Sequence, residues 1–597
     1  MKKIKTVNTF KIMLKAIKQI FNIVPIAASL TSIINICISF FPAITAKLLI
    51  TLFDSADKTN ISYDINKLLQ CAFIFILCYA IKYFMEFITS ITVNAFIFEK
   101  CVMYSRVKLA EKSSKLEVIQ YEDDNILNMK KRAQNCIDNE LLSMVFFKIS
   151  NIIKNSISLI SVVIILVSYS KFFLLVSLLS VLPYFISKLI RGNYFYKLRT
   201  KQAKDERKLS YLYKLFSDKQ TVKEMRVMNF ENYIIEKWEN CFKDIYESQW
   251  KEEKKDAISL LICDVIRSLG YIASIIVSIL LMLKGEISIG VLGACISSFL
   301  SVQDATCNFL INIASLPNLA LYANDYYKYL DLPEDIDGIK EVVSIKNGIS
   351  IKNIKFKYKM NNNFNINNIN LEIKKGEKVI VLGENGSGKT TLIKLILGIY
   401  KVDDGEILYD NINVNNCKKS CLYNLISIVS QNFIKYNLKL RENIAISDTS
   451  MIDDNNKIIS SLKAVDLNKL DNCDEMLGRE FNGIELSGGE WQKIAIARGV
   501  FKKSEIIFLD EPTSAIDPLA EKEILFKFLD IVKNKTSIIV AHRVGLCKHA
   551  DKIVVMKNGA IVEVGTHNEL INKCGEYTRL YNSQAKWYVE KESNKSI

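Results

Sequence analysis

From Phe21 to Ala46 the chain carries no charged side chain. An α-helix of about 20 apolar residues crosses the roughly 30 Å hydrocarbon core of a bilayer, so this run predicts a membrane span. Apolar blocks of similar length recur. Leu68 to Phe98 is broken only by Lys82 and Glu86, Asn155 to Ser187 contains only Lys171, and Ala257 to Leu283 is followed by Ile287 to Leu316 across Lys284-Gly285-Glu286. The block at 155–187 is too long for one crossing and predicts two spans joined by a turn near Tyr169 to Phe172. Six spans are therefore expected, all before residue 330.

Six lysines and no acid precede the first run. A cleaved signal is the competing reading, but the run is longer than a signal's apolar core and lacks a convincing small-residue cleavage site. Basic residues also crowd 99–154 and 188–256, whereas the segment from Lys47 to Lys67 is short and balanced. The positive-inside rule then places both termini in the cytoplasm of a multi-pass cell-membrane protein. The two long basic segments have few helix breakers and predict helices running on into the cytosol.

Composition narrows the partners. The chain of 597 residues is 50% hydrophobic and 24% charged, which excludes a disordered polymer. Its net charge of +15 lies beside the spans and accompanies no base-stacking motif, which argues against a nucleic-acid partner. The fourteen cysteines show no zinc-like spacing, Cys417 and Cys421 being the nearest pair, and read as reduced thiols.

After Leu330 the character changes. A polar linker over 331–348 is expected to connect a membrane domain, 1–330, to a soluble α/β domain, 349–584, with a tail at 585–597. Within that second domain Gly383-Glu384-Asn385-Gly386-Ser387-Gly388-Lys389-Thr390 matches G-x-x-x-x-G-K-[ST] between an apolar strand and a helix beginning at Thr391. Glycines there allow backbone N–H groups to curl around phosphate oxygens. Lys389 reaches the outer phosphates, and the Thr390 hydroxyl is suited to Mg²⁺. Ile506 to Pro512 reads as a buried strand ending in two acids, Asp510 to hold the metal and Glu511 to polarise water. Leu486-Ser487-Gly488-Gly489-Glu490 is a second anion-binding helix start.

In this order the three motifs resemble the nucleotide-binding domain of ABC transporters, and six spans before one such domain resemble an ABC exporter half-transporter. The resemblance implies ATP and Mg²⁺ as cofactors, with ATPase activity coupled to transport. It implies that Tyr358 stacks on adenine, that Gln431 links Mg²⁺ to the membrane domain, that Asp517 lies in the D-loop and that His542 contacts the γ-phosphate. It also implies a dimer in which Ser487 to Glu490 of one copy cap ATP on the phosphate loop of the other. Lys389, Glu511, Ser487 and His542 are all present, which favours a homodimer. Coupling segments are expected near Tyr121 to Asn128 and Ser217 to Arg226. Glu490 replaces the usual signature glutamine and Trp491 the usual arginine. The stretch Gln431, Phe433, Lys435, Tyr436 and the sequence Arg441 to Ile444 are similar to nisin-type lantibiotic exporters.

Charges inside spans are costly and mark interior faces. Lys82 with Glu86 and Asp264 with Arg267 are spaced to neutralise one another on a helix, while Asp304 has no partner near it in sequence. These five are the candidate cargo-cavity residues. The expected function is export of a peptide, such as a modified bacteriocin, whose leader another protein would remove. A multidrug or lipid exporter and an ATP-gated sensor are the alternatives.

Overall fold

The computed structural model describes residues 9–62, 65–169, 205–358, 365–510, 535–541 and 544–583, with scattered positions between 179 and 202. It divides into two units, Met1–Leu116 with Asp123–Pro333, and Glu117–Glu122 with Glu334–Ile597.

The first unit is helical. Among the described residues five helices are long and apolar enough to span a membrane: Pro25–Ala56, Ile65–Lys115, Leu141–Ile165, Glu231–Leu283 and Ile289–Leu330. The sixth expected span and the turn at Tyr169 to Phe172 fall largely outside the described residues. The 53-residue helix Glu231–Leu283 is about 80 Å long at 1.5 Å per residue, far more than a bilayer needs. Its first half is charged and its second half apolar, which is the pattern of a span prolonged into water. Ile65–Ile91 buries none of its residues within the chain, leaving its Phe, Ile and Leu side chains exposed for lipid or another chain.

Close approach and capping hold these helices together. A Cβ on Gly290 would lie 2.5 Å from the Ile50 carbonyl oxygen, so only glycine permits that contact. Asp54 accepts a 3.1 Å hydrogen bond from the Gly290 N–H, and Ser288 accepts one from Val291, so the helix Ile289–Leu330 starts on a carboxylate and a hydroxyl. Near its other end Arg132 pairs with Asp325 at 3.2 Å, and Tyr327 donates to Gln19 at 2.8 Å.

The second unit contains two sheets. One is antiparallel, with strand order β2-β1-β4-β5, from β1 (Gly348–Phe356), β2 (Ile366–Lys374), β4 (Asp404–Tyr409) and β5 (Ile412–Asn413). The other has order β10-β9-β3-β8-β7-β6, from β3 (Lys378–Gly383), β6 (Ile426–Val429), β7 (Ile506–Asp510), β8 (Thr536–Val540), β9 (Lys552–Lys557) and β10 (Ala560–Gly565). Strands β9, β3, β8, β7 and β6 run parallel. Every residue of β7 and β8 is buried, which is why Ile506–Leu509 and Ile538–Val540 are apolar without alternation.

The 3₁₀ turn Val118–Glu122 lies between membrane-unit helices in sequence but belongs to the second unit. Tyr400 donates its hydroxyl proton to Glu122, and Lys401 pairs with Glu117. Asp123 caps Asp124–Asp138 and Asp218 caps Lys219–Met228, so both expected coupling segments contain a defined helix start.

Candidate nucleotide site

Open parallel sheets place ligands beyond the carboxyl ends of their strands, and the candidate site follows that rule. The segment between β3 and the helix Lys389–Ile396 carries the phosphate-loop sequence. Gly386 and Gly388 have φ of +79° and +102°, a region that a Cβ makes strained. Lys389 is buried, with Nζ donating to the carbonyls of Gly383 and Glu384 at 2.9 and 3.0 Å. Ser387 Oγ is buried and has no hydrogen-bond partner among the described residues.

Beside this loop is a cavity of about 550 Å³ lined by Asn365, Asn385, Gly386, Gly388, Lys389, Thr390, Thr391 and Gln431. Thr390 Oγ1 is 3.4 Å from Asp510 Oδ1 at the end of β7. Hydroxyl, carboxylate and the amide of Gln431 are hard oxygen donors of the kind Mg²⁺ takes alongside phosphate and water. An unsatisfied hydroxyl, a positive-φ loop and a buried ammonium fit a triphosphate, so these residues suit both groups. Mg²⁺ bound there would neutralise phosphate charge.

Tyr358 stands at the edge of the site. It is half-buried, meets Phe356 and Tyr400 edge-on, and places its hydroxyl 3.2 Å from Thr391 Oγ1; burial raises its pKa. Glu384 faces outward to Arg579. Glu511, Asp517 and His542 lie outside the described residues.

The signature segment begins the helix Gly488–Phe501. Ser487 Oγ accepts from the Glu490 N–H at 3.3 Å, and Glu490 Oε2 accepts from the Ser487 N–H at 2.8 Å, forming a reciprocal cap. Lys469 also pairs with Glu490, and hydrogen bonding to Lys469 and to the Ser487 backbone holds the carboxyl at about 2. A Cβ on Gly488 or Gly489 would meet nothing within 4 Å. No residue of 487–490 lines the phosphate-loop cavity.

Three features were missed in sequence. Asn365 stands inside the Asn-rich run Asn361 to Asn370, which by sequence reads as a hairpin loop, yet it lines the cavity. Arg498 anchors the segment after Gln431, donating to the carbonyls of Asn443 and Ile434 and to Asn443 Oδ1 at 2.7–2.8 Å. Lys469 lacks a motif of its own. The membrane-unit charges are paired: Lys82 lies 4.0 Å from Glu86, and Arg267 lies 3.9 Å from Asp264 and 3.5 Å from Asp304. Asp304 thus gains across two helices the partner its own sequence neighbourhood lacks. All fourteen cysteines are free.

A polytopic helical unit followed by a nucleotide-binding α/β unit defines an ATP-hydrolysing membrane transporter. The ABC transporter transmembrane region model matches residues 26–306, and the ABC transporter model matches 366–514. The chain is 31% identical over 550 residues to the subtilin transport ATP-binding protein SpaT of Bacillus subtilis, covering 90% of this chain and 89% of that protein. It is 32% identical over 501 residues to the nisin transport ATP-binding protein NisT of Lactococcus lactis subsp. lactis, covering 82% and 83%. The ATP-dependent lipid A-core flippase of Shigella sonnei (strain Ss046) is 37% identical over 263 residues, 43% of this chain and 45% of that one. A solved bacterial Atm1-family ABC exporter with ATP bound superimposes with a TM-score of 0.79 at 18% identity, over 95% of this chain and 98% of that one. The chain belongs to the ABC transporter family, as a half-transporter of the exporter type.

Proposed function

We propose that two copies of this chain form an ATP-driven exporter of a peptide across the cell membrane, with both termini in the cytoplasm. The observation that carries the pairing is the separation, within one chain, of the phosphate-loop cavity from the open Ser487-Gly488-Gly489 turn. A second copy supplies the missing cap. ATP favours the closed pair and hydrolysis releases it, the difference in stability shifting the membrane helices. Lys389 and Ser387 hold phosphate, Thr390, Asp510 and Gln431 hold Mg²⁺, and Glu511 orients the attacking water. The matches to subtilin and nisin transport proteins, over 90% and 82% of this chain, support a peptide cargo.

The test uses inside-out vesicles containing the full chain. ATP with Mg²⁺ should drive accumulation of a fluorescent peptide. Accumulation of lipid analogues or dyes but no peptide would favour the multidrug or lipid reading, to which the flippase match also points. ATP turnover without movement of any probe would favour the sensor.

A further inference from the structure

We propose that a polar cavity within the membrane unit binds a peptide through a carboxylate. The inference rests on the export reading and gives it a substrate class. The cavity, about 520 Å³, is lined by Asn35, Asn94, Asn151, Asn155, Asn308 and Asn312, drawn from four different spans. A carboxamide offers the same donor and acceptor as a peptide bond, so the six can pair with a backbone whatever its side chains. Polar groups gathered inside membrane helices are costly unless they meet one another or a partner. Two of the six meet protein groups: Asn35 donates to Ser150 Oγ at 2.9 Å and Asn94 to Ser90 Oγ at 3.5 Å. Asn151, Asn155, Asn308 and Asn312 make no side-chain hydrogen bond among the described residues, although Asn312 is only 6% exposed.

The local winding of one helix contributes. Between Ile91 and Glu99 the second span forms a π-helix, Thr92–Phe98, which shifts the rotational register around Asn94. Such insertions persist at a cost in regular hydrogen bonding and recur at functional sites.

Charge selects among peptides. Glu86, Lys148 and Lys154 line the same cavity. Glu86 is shared between Lys82, 4.0 Å away, and the more distant Lys154. Neither Lys148 nor Lys154 has an ion-pair partner within 4 Å among the described residues. The cavity therefore presents amides and, in Lys148 and Lys154 with Lys82 nearby, more positive charge than Glu86 offsets, a surface complementary to an acidic side chain or a peptide C-terminus. A phosphate headgroup would satisfy the ammonium groups but would leave most of the asparagines unused.

The full chain in phosphatidylcholine nanodiscs is titrated against two short peptides bearing an uncharged fluorophore. One carries glutamates and a free C-terminus, and the other carries glutamines and an amidated C-terminus. Wild type should bind the acidic probe at least about tenfold more tightly, a difference one well-placed charge contact can supply. Lys154→Gln should bring the two probes to within about threefold of each other, Lys154→Arg should restore the preference, and Asn155→Leu should weaken both probes alike. Melting temperatures within a few degrees of wild type confirm that the variants fold. Equal affinities in wild type, a preference unchanged in Lys154→Gln, binding of neither probe, or displacement of the acidic probe by short-chain phosphatidylglycerol would each overturn the proposal. If vesicles show ATP-driven peptide transport while the acidic probe has no advantage, the cavity assignment fails and the export reading stands. If the preference holds without transport, the reverse is true.

Discussion

Thr390 Oγ1 lies 3.4 Å from Asp510 Oδ1, although the two residues are 120 positions apart. The parallel pairing of β7 with β8 and of β8 with β3 brings Asp510 to the same strand end as the phosphate loop. In the proposed Mg²⁺ site the hydroxyl and the carboxylate act as a pair. Asp510→Asn should therefore reduce Mg²⁺-dependent ATP hydrolysis by about 100-fold or more while Mg²⁺-free nucleotide binding changes little. Phosphate release and equilibrium binding in chelator measure the two effects.

The signature glycines provide a cleaner test of pairing. A Cβ at Gly489 meets nothing in its own chain, and glycine is a poor helix former, so Gly489→Ala should leave the melting temperature unchanged or slightly raised. If a second copy's nucleotide approaches that surface, hydrolysis should fall at least about tenfold. Unaltered turnover would mean that the open face receives nothing.

Glu490 yields a pH prediction. Its carboxyl is held at about 2 by Lys469 and the Ser487 backbone, below the ordinary value near 4.5. A depressed folded-state pKa contributes stability that is fully present above the unfolded value and lost as pH falls through the folded one. The stability difference between wild type and Glu490→Gln should stay constant from pH 8 to about 5 and shrink from about pH 4 towards 2. Thermal melts across that range measure it.

Arg498 should not tolerate lysine. Three guanidinium hydrogen bonds tie the helix Gly488–Phe501 to Asn443 and Ile434, with Tyr436 under the guanidinium at 4.9 Å. An ammonium cannot reproduce that fork. Arg498→Lys should cost roughly 1–3 kcal/mol of stability, read by chemical denaturation.

The sequence shows some of this directly and hides the rest for physical reasons. Spans and buried parallel strands announce themselves because each is specified by its own contiguous residues, as in 21–46 and 506–509. The phosphate loop is legible because its glycines, Lys389 and Thr390 act within one turn. Partners set by tertiary packing leave no local trace. Lys469 reaches Glu490 from outside any motif, Arg267 balances Asp304 from another helix, and Glu117–Glu122 joins the second unit from the midst of the first. The asparagine cavity is the extreme case, since its six amides are unremarkable until four helices converge.

The central claim, that two copies clamp ATP between them, is tested most directly by nucleotide occlusion in purified Glu511→Gln protein. After incubation with labelled ATP and Mg²⁺ and a chase with unlabelled ATP, the account predicts that label stays bound to a paired species and that adding Gly489→Ala abolishes the retention. Free exchange of the label from Glu511→Gln, or equal retention with and without Gly489→Ala, would contradict it.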